Sequence, residues 1–207
     1  MKIKLFIDFD GTLFDTKCFK AKIFGVFLEL GFSAEEIEKS YFEECRDYLY
    51  NPIDQAKNLC ELREFDLESA IAKLREAESI SFQCVYDDSL EFLENIDRQK
   101  YEVVLLTLGD IGFQKAKFDN SGLNKYFDDA LFTKLQKWEY LKDVVGAGEK
   151  FILIDDRGDT CAKVAENFPD SKTLEINRRQ SAPDPMEPKD DYRGIKIKNF
   201  DEAQKYL

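Results

Sequence analysis

At 207 residues and 43% hydrophobic content, the chain can bury a real core, and it is long enough for one domain of about 150 residues plus an insert. The 42 Asp and Glu residues outnumber the 30 Lys and Arg residues, and the formal charge of -12 argues against a broad nucleic-acid or anionic-membrane surface. The chain contains no histidine, so any catalysis or metal binding must rest on carboxylates, lysines, hydroxyls or thiols.

The cysteines are odd in number and scattered, and no two form a Cys-x-x-Cys pair. This usage is typical of reduced, mostly packing thiols in a cytosolic protein. No apolar stretch approaches the roughly 20 residues of a membrane span, and Asp8 interrupts the N-terminal apolar run, which argues against a signal peptide. We therefore expect a cytoplasmic protein without membrane or nucleic-acid partners, present as a monomer or weak homodimer. The five cysteines are Cys18, Cys45, Cys60, Cys84 and Cys161.

The first twelve residues predict a buried strand with a reactive end. Residues 5–7 form a short apolar run of the kind found in a central parallel strand. Asp8 and Asp10 follow where the strand leaves the sheet, and Gly11 allows a sharp turn that brings its N–H close to a ligand. Because ligands bind at the carboxyl ends of parallel strands, both acids are expected to face a crevice. Carboxylates at such a short distance repel each other, and a bound cation usually offsets this repulsion.

Residues 16 to about 86 predict helices, with no strand alternation. Apolar residues recur at helical spacing up to Gly31, which ends the first helix. Ser33 and Glu36 form a capping-box pattern before a second helix. Two more helices follow, the later one capped by Asp66. This block is therefore a helical insert placed directly after the first strand.

The second half alternates strand and helix, the pattern of a parallel sheet with crossover helices. The segment 178–193, which contains three prolines, is predicted to be a mobile loop. The sequence thus predicts an α/β fold in which 1–15 and 87–207 form the sheet domain and 16–86 the helical insert. The later predicted strands are Tyr101 to Leu106, Ala130 to Thr133, Phe151 to Ile154, Lys172 to Ile176, and an edge strand with Ile195 and Ile197.

Two of these later strands also end in polar residues. The strand from Tyr101 is followed by Thr107, whose hydroxyl can donate a hydrogen bond without adding charge, and then by a helix start that adds further donors. The strand from Phe151 is followed by Asp155 and Asp156. Adjacent strand residues point to opposite faces, so these two carboxylates cannot be equivalent.

Taken in chain order, these strand ends resemble the four motifs of the haloacid dehalogenase-like (HAD) hydrolase superfamily, whose members are mostly magnesium-dependent phosphatases. The second motif departs from the family pattern, because Leu108 stands where a polar residue is often found. For the third motif Lys137 is favoured over Lys134, which lies nearer the strand. The motifs are Asp8-Phe-Asp10-Gly11-Thr12-Leu13, Thr107-Leu108-Gly109, Lys137 or Lys134, and Asp155-Asp156 with Asp159.

The resemblance implies a Rossmann-like core with a helical cap and a Mg²⁺-dependent phosphatase that acts on a small phosphorylated metabolite or nucleotide. Asp8 would attack phosphorus and form an aspartyl-phosphate, and Asp10 would protonate the leaving oxygen and then deprotonate water. The metal would be bound by Asp8, the carbonyl of Asp10 and Asp156, with Asp155 as a second ligand or a partner of one. Thr107 and Lys137 would act on the phosphoryl group, and the implied substrate contacts are Gly11, Thr12, Thr107, Leu108, Gly109, Lys137 and Lys134.

The presence of Asp10 favours phosphoryl chemistry over carbon–halogen chemistry, because dehalogenases of the superfamily do not need the second acid. Two alternatives stay open at this stage. One is a phosphotransferase or phosphomutase on the same scaffold, and the other is a non-catalytic HAD-like binding protein.

Overall fold

The computed structural model describes residues 2–45, 49–61, 63, 65–178 and 192–207. Within them, six parallel strands form one sheet in the order β3-β2-β1-β4-β5-β6, which confirms the predicted α/β fold. Most of the predicted mobile loop, 179–191, lies outside the described residues. The strands are β1 (Ile3–Ile7), β2 (Tyr101–Leu108), β3 (Asp129–Thr133), β4 (Phe151–Asp155), β5 (Lys172–Ile176) and β6 (Ile195–Ile197).

β1 lies in the middle of the sheet, between β2 and β4. Its last residue, Ile7, pairs with Leu105 on one side and with Ile154 on the other. Leu5 and Ile7 belong to a hydrophobic cluster on one face of the sheet, whereas Phe6 belongs to a cluster on the opposite face. Polar residues that follow these strands therefore meet at one edge of a sheet whose centre is buried on both faces.

Helices cover both faces of the sheet. Leu141 and Val164 pack in the smaller cluster with Phe6, while Phe92, Phe118 and other apolar residues of the opposite helices complete the larger cluster. None of the helices in the described ranges combines the length and the apolar composition needed to cross a membrane. The helices of the two faces are α5 (Asp87–Asn95), α6 (Ile111–Ser121), α7 (Lys137–Val144), α8 (Gly158–Asn167) and α9 (Phe200–Ala203).

Between β1 and α5 the described chain forms further helices, and residues 16–86 are called the insert below. The predicted capping box is present, since the Ser33 hydroxyl accepts from the Glu36 N–H and the Glu36 carboxylate accepts from the Ser33 N–H. Asp66 accepts from the N–H of Glu68, as its capping role requires. That the insert is a separate domain stays a prediction. Its helices are α1 (Thr16–Glu29), α2 (Ala34–Glu44), α3 (Pro52–Glu61) and α4 (Leu67–Ser79).

The two linkers of the insert lie side by side. Phe14 and Val85 form an antiparallel bridge, and the Asp15 N–H donates to the carbonyl of Cys84 at 2.6 Å. A disulfide joins Cys18 to Cys84. The prediction that all five cysteines are reduced is therefore wrong for this pair, because the fold brings together thiols that are 66 positions apart in sequence. The three cysteines outside this disulfide, all buried, are Cys45, Cys60 and Cys161.

Candidate active site

Three carboxylates meet where β1 and β4 end. Asp8 follows β1 directly, and its N–H donates to the carbonyl of Ile154 at 2.9 Å, which continues the strand pairing by one residue. Asp155 is the last residue of β4, and Asp156 comes next. Oxygen atoms of Asp8, Asp155 and Asp156 all lie within 4.8 Å of one another. Asp8 and Asp155 are buried and Asp156 is half-buried, so these oxygens are largely withdrawn from water.

Lys137, the first residue of α7, reaches this carboxylate cluster. Its Nζ lies 2.5 Å from Asp8 Oδ1 and 2.6 Å from Asp155 Oδ2, and its side chain is almost fully buried. Lys134 is different, because its side chain is 53% exposed and its Nζ lies 3.9 Å from Asp110 Oδ2. Of the two lysines that the sequence offered, Lys137 is the one in contact with the predicted nucleophile.

The cluster is short of positive charge. Burial raises the pKa of Asp8 to about 7, Lys137 opposes this rise, and the Asp155 carboxylate adds to it. Burial, followed by the charges of Asp8 and Asp155, raises the pKa of Asp156 well above its usual value. The same two carboxylates outweigh burial at Lys137 and raise the pKa of its ammonium group. Neighbouring carboxylates thus keep protons that a bound cation would displace.

The donor set fits Mg²⁺. Carboxylate oxygens are the ligands that this ion prefers, and it needs only one or two of them beside its waters and a substrate phosphate. Gly11 leaves room for the third carboxylate, because a Cβ on this residue would lie 2.3 Å from Asp156 Oδ2. Gly11 also has φ +73°, a conformation that glycine adopts without strain. The Asp155 carboxylate accepts hydrogen bonds from Lys137 and from the N–H of Arg157. Such bonds orient a carboxylate that binds a metal ion.

Asp10 occupies a separate place in the same cavity, and its carboxylate lies outside the three-carboxylate cluster. Lys117 Nζ lies 2.7 Å from each of its two oxygens. Gln114 Nε2 donates to Oδ2 at 2.8 Å, and the Thr16 hydroxyl donates to Oδ1 at 3.1 Å. Burial alone would raise the pKa of Asp10, but the Lys117 ammonium and these hydrogen bonds bring it below the usual value. Asp10 is therefore held as an anion.

Thr107 presents a hydroxyl without a partner. The residue is 1% exposed, and its Oγ1 finds no hydrogen bond within the described chain. Leu108 lines the same cavity. Thr12 is fully buried and donates to Asp8 Oδ2 at 3.4 Å, so its side chain supports the Asp8 carboxylate and is not among the groups that line the cavity.

Two predicted N–H contacts are wrong. The N–H of Gly11 donates to the carbonyl of Phe14 at 2.8 Å, and the N–H of Gly109 donates to the carbonyl of Thr133 at 3.0 Å. Both groups are used within the fold and do not face a ligand. Gly109 has φ +155°, and a Cβ there would lie 2.7 Å from Gln114 Nε2, so this glycine makes room for a side chain that binds Asp10.

The cavity between the sheet edge and the insert has a volume of about 1290 Å³. Its lining contains eight Lys and Arg residues and six Asp and Glu residues, although acids outnumber bases in the chain as a whole. The insert contributes an apolar wall that includes Phe19, Tyr41 and Tyr50. Local positive charge beside an apolar wall suits an anionic group attached to an organic remainder.

A family model described as haloacid dehalogenase-like hydrolase matches residues 5–158. The chain belongs to the haloacid dehalogenase-like hydrolase family. The match includes Asp8, Thr107 and Asp156 at the strand ends and Lys137 at the start of α7. A search of curated proteins found no match.

Solved structures share the fold of this haloacid dehalogenase-like hydrolase at low sequence identity. A haloacid dehalogenase-like hydrolase from Burkholderia xenovorans is 21% identical with a TM-score of 0.76, covering 99% of this chain and 95% of that one. YfnB from Bacillus subtilis, a HAD hydrolase bound to magnesium, is 15% identical with a TM-score of 0.65 over 100% and 98%. L-2-haloacid dehalogenase from Xanthobacter autotrophicus, with chloropropionic acid covalently bound, is 12% identical with a TM-score of 0.61 over 99% and 98%.

Sequence reasoning missed several polar residues in this hydrolase. Gln114 and Lys117 of α6 bind Asp10, and Arg178, just after β5, donates to the carbonyl of Thr12 at 2.7 Å. A weak signal existed for the first two, because they lie three residues apart on the helix that follows Thr107. Nothing in the sequence marks Arg178, because its contact depends on the order of strands in the sheet.

Proposed function

We propose that this HAD-like hydrolase is a magnesium-dependent phosphatase that cleaves a small phosphate monoester through an aspartyl-phosphate on Asp8. The observation that carries the proposal is the second acid, Asp10, which lines the same cavity as Asp8 and is held there by three donors. A reaction that must protonate a leaving oxygen and then activate water needs such a group. Displacement of a halide by a carboxylate needs no proton for the leaving group.

A phosphate monoester that binds as its monoanion brings one proton, and Asp10, which is ionised in the free protein, takes up this proton. In the first step an oxygen of Asp8 attacks phosphorus, the bond to the leaving oxygen breaks, and Asp10 gives that oxygen the proton. In the second step Asp10 takes a proton from water, which attacks the phosphorus of the aspartyl-phosphate and releases phosphate and Asp8. The hydroxyl of Thr107 and the ammonium of Lys137 would hold phosphoryl oxygens.

Asp8 and Asp156 would hold Mg²⁺, with the main-chain carbonyl of Asp10 as a third protein ligand and Asp155 beside them. When bound, the ion neutralises charge on the phosphoryl oxygens and on the crowded carboxylates. The raised pKa values of Asp8 and Asp156 support this assignment, because they record a site where the ionised carboxylates lack compensation.

The insert is proposed to act as a cap that selects the substrate. Its first helix places Phe19 and Lys20 on the cavity, and Tyr41 and Tyr50 extend the wall. The Nζ of Lys20 lies 3.7 Å from the centroid of the Tyr41 ring, so a cation and an aromatic face occur together. A phosphate ester with a flat or apolar remainder fits this wall.

A dehalogenase is the second candidate, and the structural similarity to L-2-haloacid dehalogenases favours it. That similarity shows the fold, which both reactions share. The dehalogenase reaction has no evident use for two charged features of the cavity, which are the carboxylate of Asp10 and the cluster of carboxylates at the strand ends.

A paired assay tests the proposal. The purified protein is incubated with Mg²⁺ and an aryl phosphate, followed by a panel of phosphorylated metabolites, and free phosphate is measured; a parallel reaction with 2-chloropropionate is monitored for chloride. We expect phosphate release that stops in excess chelator, and no chloride. Chloride release without phosphate release would replace the proposal by the dehalogenase reaction.

Two further outcomes correspond to the remaining alternatives. Loss of the ester without free phosphate, together with phosphorylation of an added alcohol or sugar acceptor, would identify a phosphotransferase or mutase. No reaction with any ester, although magnesium raises the thermal midpoint, would identify a binding protein that has kept the family's site.

A further inference from the structure

One stripe of α6 connects the insert with the catalytic acid. Asp110, Phe113, Gln114 and Lys117 have the i, i+3, i+4, i+7 spacing of a single helix face. The first two contact the insert, since Asn51 Nδ2 donates to Asp110 Oδ1 at 3.2 Å and the Phe113 ring packs edge-on against a tyrosine of the insert. The last two bind Asp10. A face that would ordinarily pack apolar residues thus carries a glutamine and a lysine.

Lys117 is buried among aromatic rings. The residue is 3% exposed, and its Nζ lies 5.5, 5.6 and 4.9 Å from the ring centroids of Phe9, Phe14 and Phe113. Its ion-pair partner is Asp10, to which it donates through both carboxylate oxygens. The rings attract the cation and fix its position, while the carboxylate supplies its counter-charge.

Fold stability does not explain this arrangement. A buried ion pair is often no more stabilising than apolar residues of the same volume, because desolvation of both charges offsets their attraction. A methionine at position 117 would fill the space between the rings equally well. The contact of Lys117 with an acid of the active site points to a use beyond packing.

The geometry of Asp10 shows what that use is. Lys117 and Gln114 approach it from α6, and the Thr16 hydroxyl approaches from the first residue of the insert. Three donors on two oxygens leave the carboxylate one orientation, and Gln114 is itself fixed because its Nε2 also donates to the carbonyl of Leu108 at 2.9 Å. General acid–base catalysis depends on such placement of the group that takes up and gives back the proton.

We propose that Lys117, supported by Gln114, is a positioning residue that orients the Asp10 carboxyl toward the leaving oxygen of the substrate. Lys117 itself does not touch the substrate in this assignment and acts through Asp10. The inference rests on the proposed phosphatase function for the role of Asp10.

The test compares Lys117→Met with the matched variant Lys115→Met, which removes an exposed lysine of the same helix that pairs with Asp119. Each protein is assayed on an alkyl phosphate, which needs a proton on its leaving oxygen, and on an aryl phosphate, which needs little. We expect Lys117→Met to lower the single-turnover rate of leaving-group release, which reports the first step alone, about 100-fold on the alkyl ester and less than about threefold on the aryl ester. Lys115→Met should match the wild type on both.

A merely structural lysine would give another pattern. Equal losses on both esters would overturn the proposal, and so would losses that add to those of Asp10→Asn in the double variant, because a residue acting through Asp10 has nothing to act on there. If Lys117→Met does not fold, Gln114→Met provides a second variant, which removes one donor to Asp10. It should lose rate on the alkyl ester more than on the aryl ester, by a smaller factor than Lys117→Met. Equal losses on the two esters in that variant would likewise reject the idea.

A crystal structure of Lys117→Met separates this inference from the proposed function. If the wild type hydrolyses neither ester, the phosphatase proposal fails, but the orientation of Asp10 can still be observed. A second rotamer or weak density for the Asp10 carboxylate supports the positioning role. An Asp10 side chain unchanged from the wild type overturns it.

Discussion

Asp8 and Asp10 are one residue apart, line the same cavity, and have opposite environments. Burial raises the pKa of Asp8 to about 7, and the Asp155 carboxylate adds to this rise, while the ammonium of Lys137, which Asp8 shares with Asp155, opposes it. Asp10 is paired with Lys117 and accepts further hydrogen bonds, so its pKa falls. In the first arrangement one ammonium group faces several carboxylates, whereas in the second one ammonium group faces one carboxylate. The sheet edge is therefore suited to binding an ion, and the face of α6 to fixing a side chain.

The largest expected effect separates the two acids by mutation. Asp8→Asn should remove essentially all phosphate release, because an amide is a poor nucleophile. Asp10→Asn should still allow attack on an aryl ester but slow hydrolysis of the adduct, by about 100-fold to 10,000-fold. Intact mass should then show a hydroxylamine-sensitive phosphoryl group on Asp8 in the Asp10→Asn protein. Ordinary turnover by Asp8→Asn, or an adduct on another residue, would refute the assignment.

A second comparison sets Lys137 against Lys134. Lys137→Met leaves Asp8 and Asp155 buried without their shared counter-charge, and loss of one partner of a buried pair costs about 3–5 kcal/mol. We expect urea denaturation to show this destabilisation and the phosphatase assay to show no turnover. Lys134→Met, which alters an exposed side chain, should change neither the stability in urea nor the rate of phosphate release by more than a small fraction. Comparable effects of the two substitutions would contradict the charge balance described for the cluster.

The pH dependence of stability should reveal the uncompensated carboxylates. The folded-state pKa of Asp8 is raised, so its contribution to stability is fully present below its ordinary value of 3.8 and is lost as pH rises through about 7. In chelator, the thermal midpoint should therefore be lower at about pH 8 than at about pH 5, and Mg²⁺ should restore it at the higher pH. Asp8→Asn should weaken the loss. A midpoint that does not change over this interval, or that magnesium leaves unchanged, would count against the metal site.

The smallest effect concerns a group that the fold does not use. Thr107→Val removes a buried hydroxyl without a partner, so stability should stay constant or rise by about 1 kcal/mol, while phosphate release should fall. Thr133→Val is the control, because its hydroxyl accepts from the Leu135 N–H at 2.9 Å and its loss should destabilise by about 1 kcal/mol. If Thr107→Val were the less stable of the two, the hydroxyl would have a structural role.

The sequence predicted the parts of the site that lie on strand ends. Asp8, Thr107 and Asp156 follow apolar runs, and parallel pairing alone brings them to one edge. Lys117 could not be found in this way, because a lysine on a helix is ordinarily solvated. It is buried because α6 packs against the rings of Phe9 and Phe14, with Phe113 of the same helix beside it. Gly11 was found, but for the wrong reason. Its value lies in making room for Asp156 and not in a free N–H.

Cysteine spacing likewise gave no signal for the Cys18–Cys84 pair, which forms only because β1 and α5 return the two linkers to one place. The expectation of a cytoplasmic protein rested in part on reduced thiols, and this pair removes that argument. The strand and helix pattern, by contrast, depends on local periodicity, and it was predicted well for that reason.

The disulfide also changes the covalent connectivity of the chain. The bond between Cys18 and Cys84 closes most of the insert into a covalent ring. Closing a loop of 66 positions lowers the entropy of the unfolded chain by the equivalent of about 4 kcal/mol. Reductant should therefore destabilise the insert more than the sheet. A protease that cuts once inside the ring produces two fragments that migrate together on a denaturing gel and separate only after the bond is reduced.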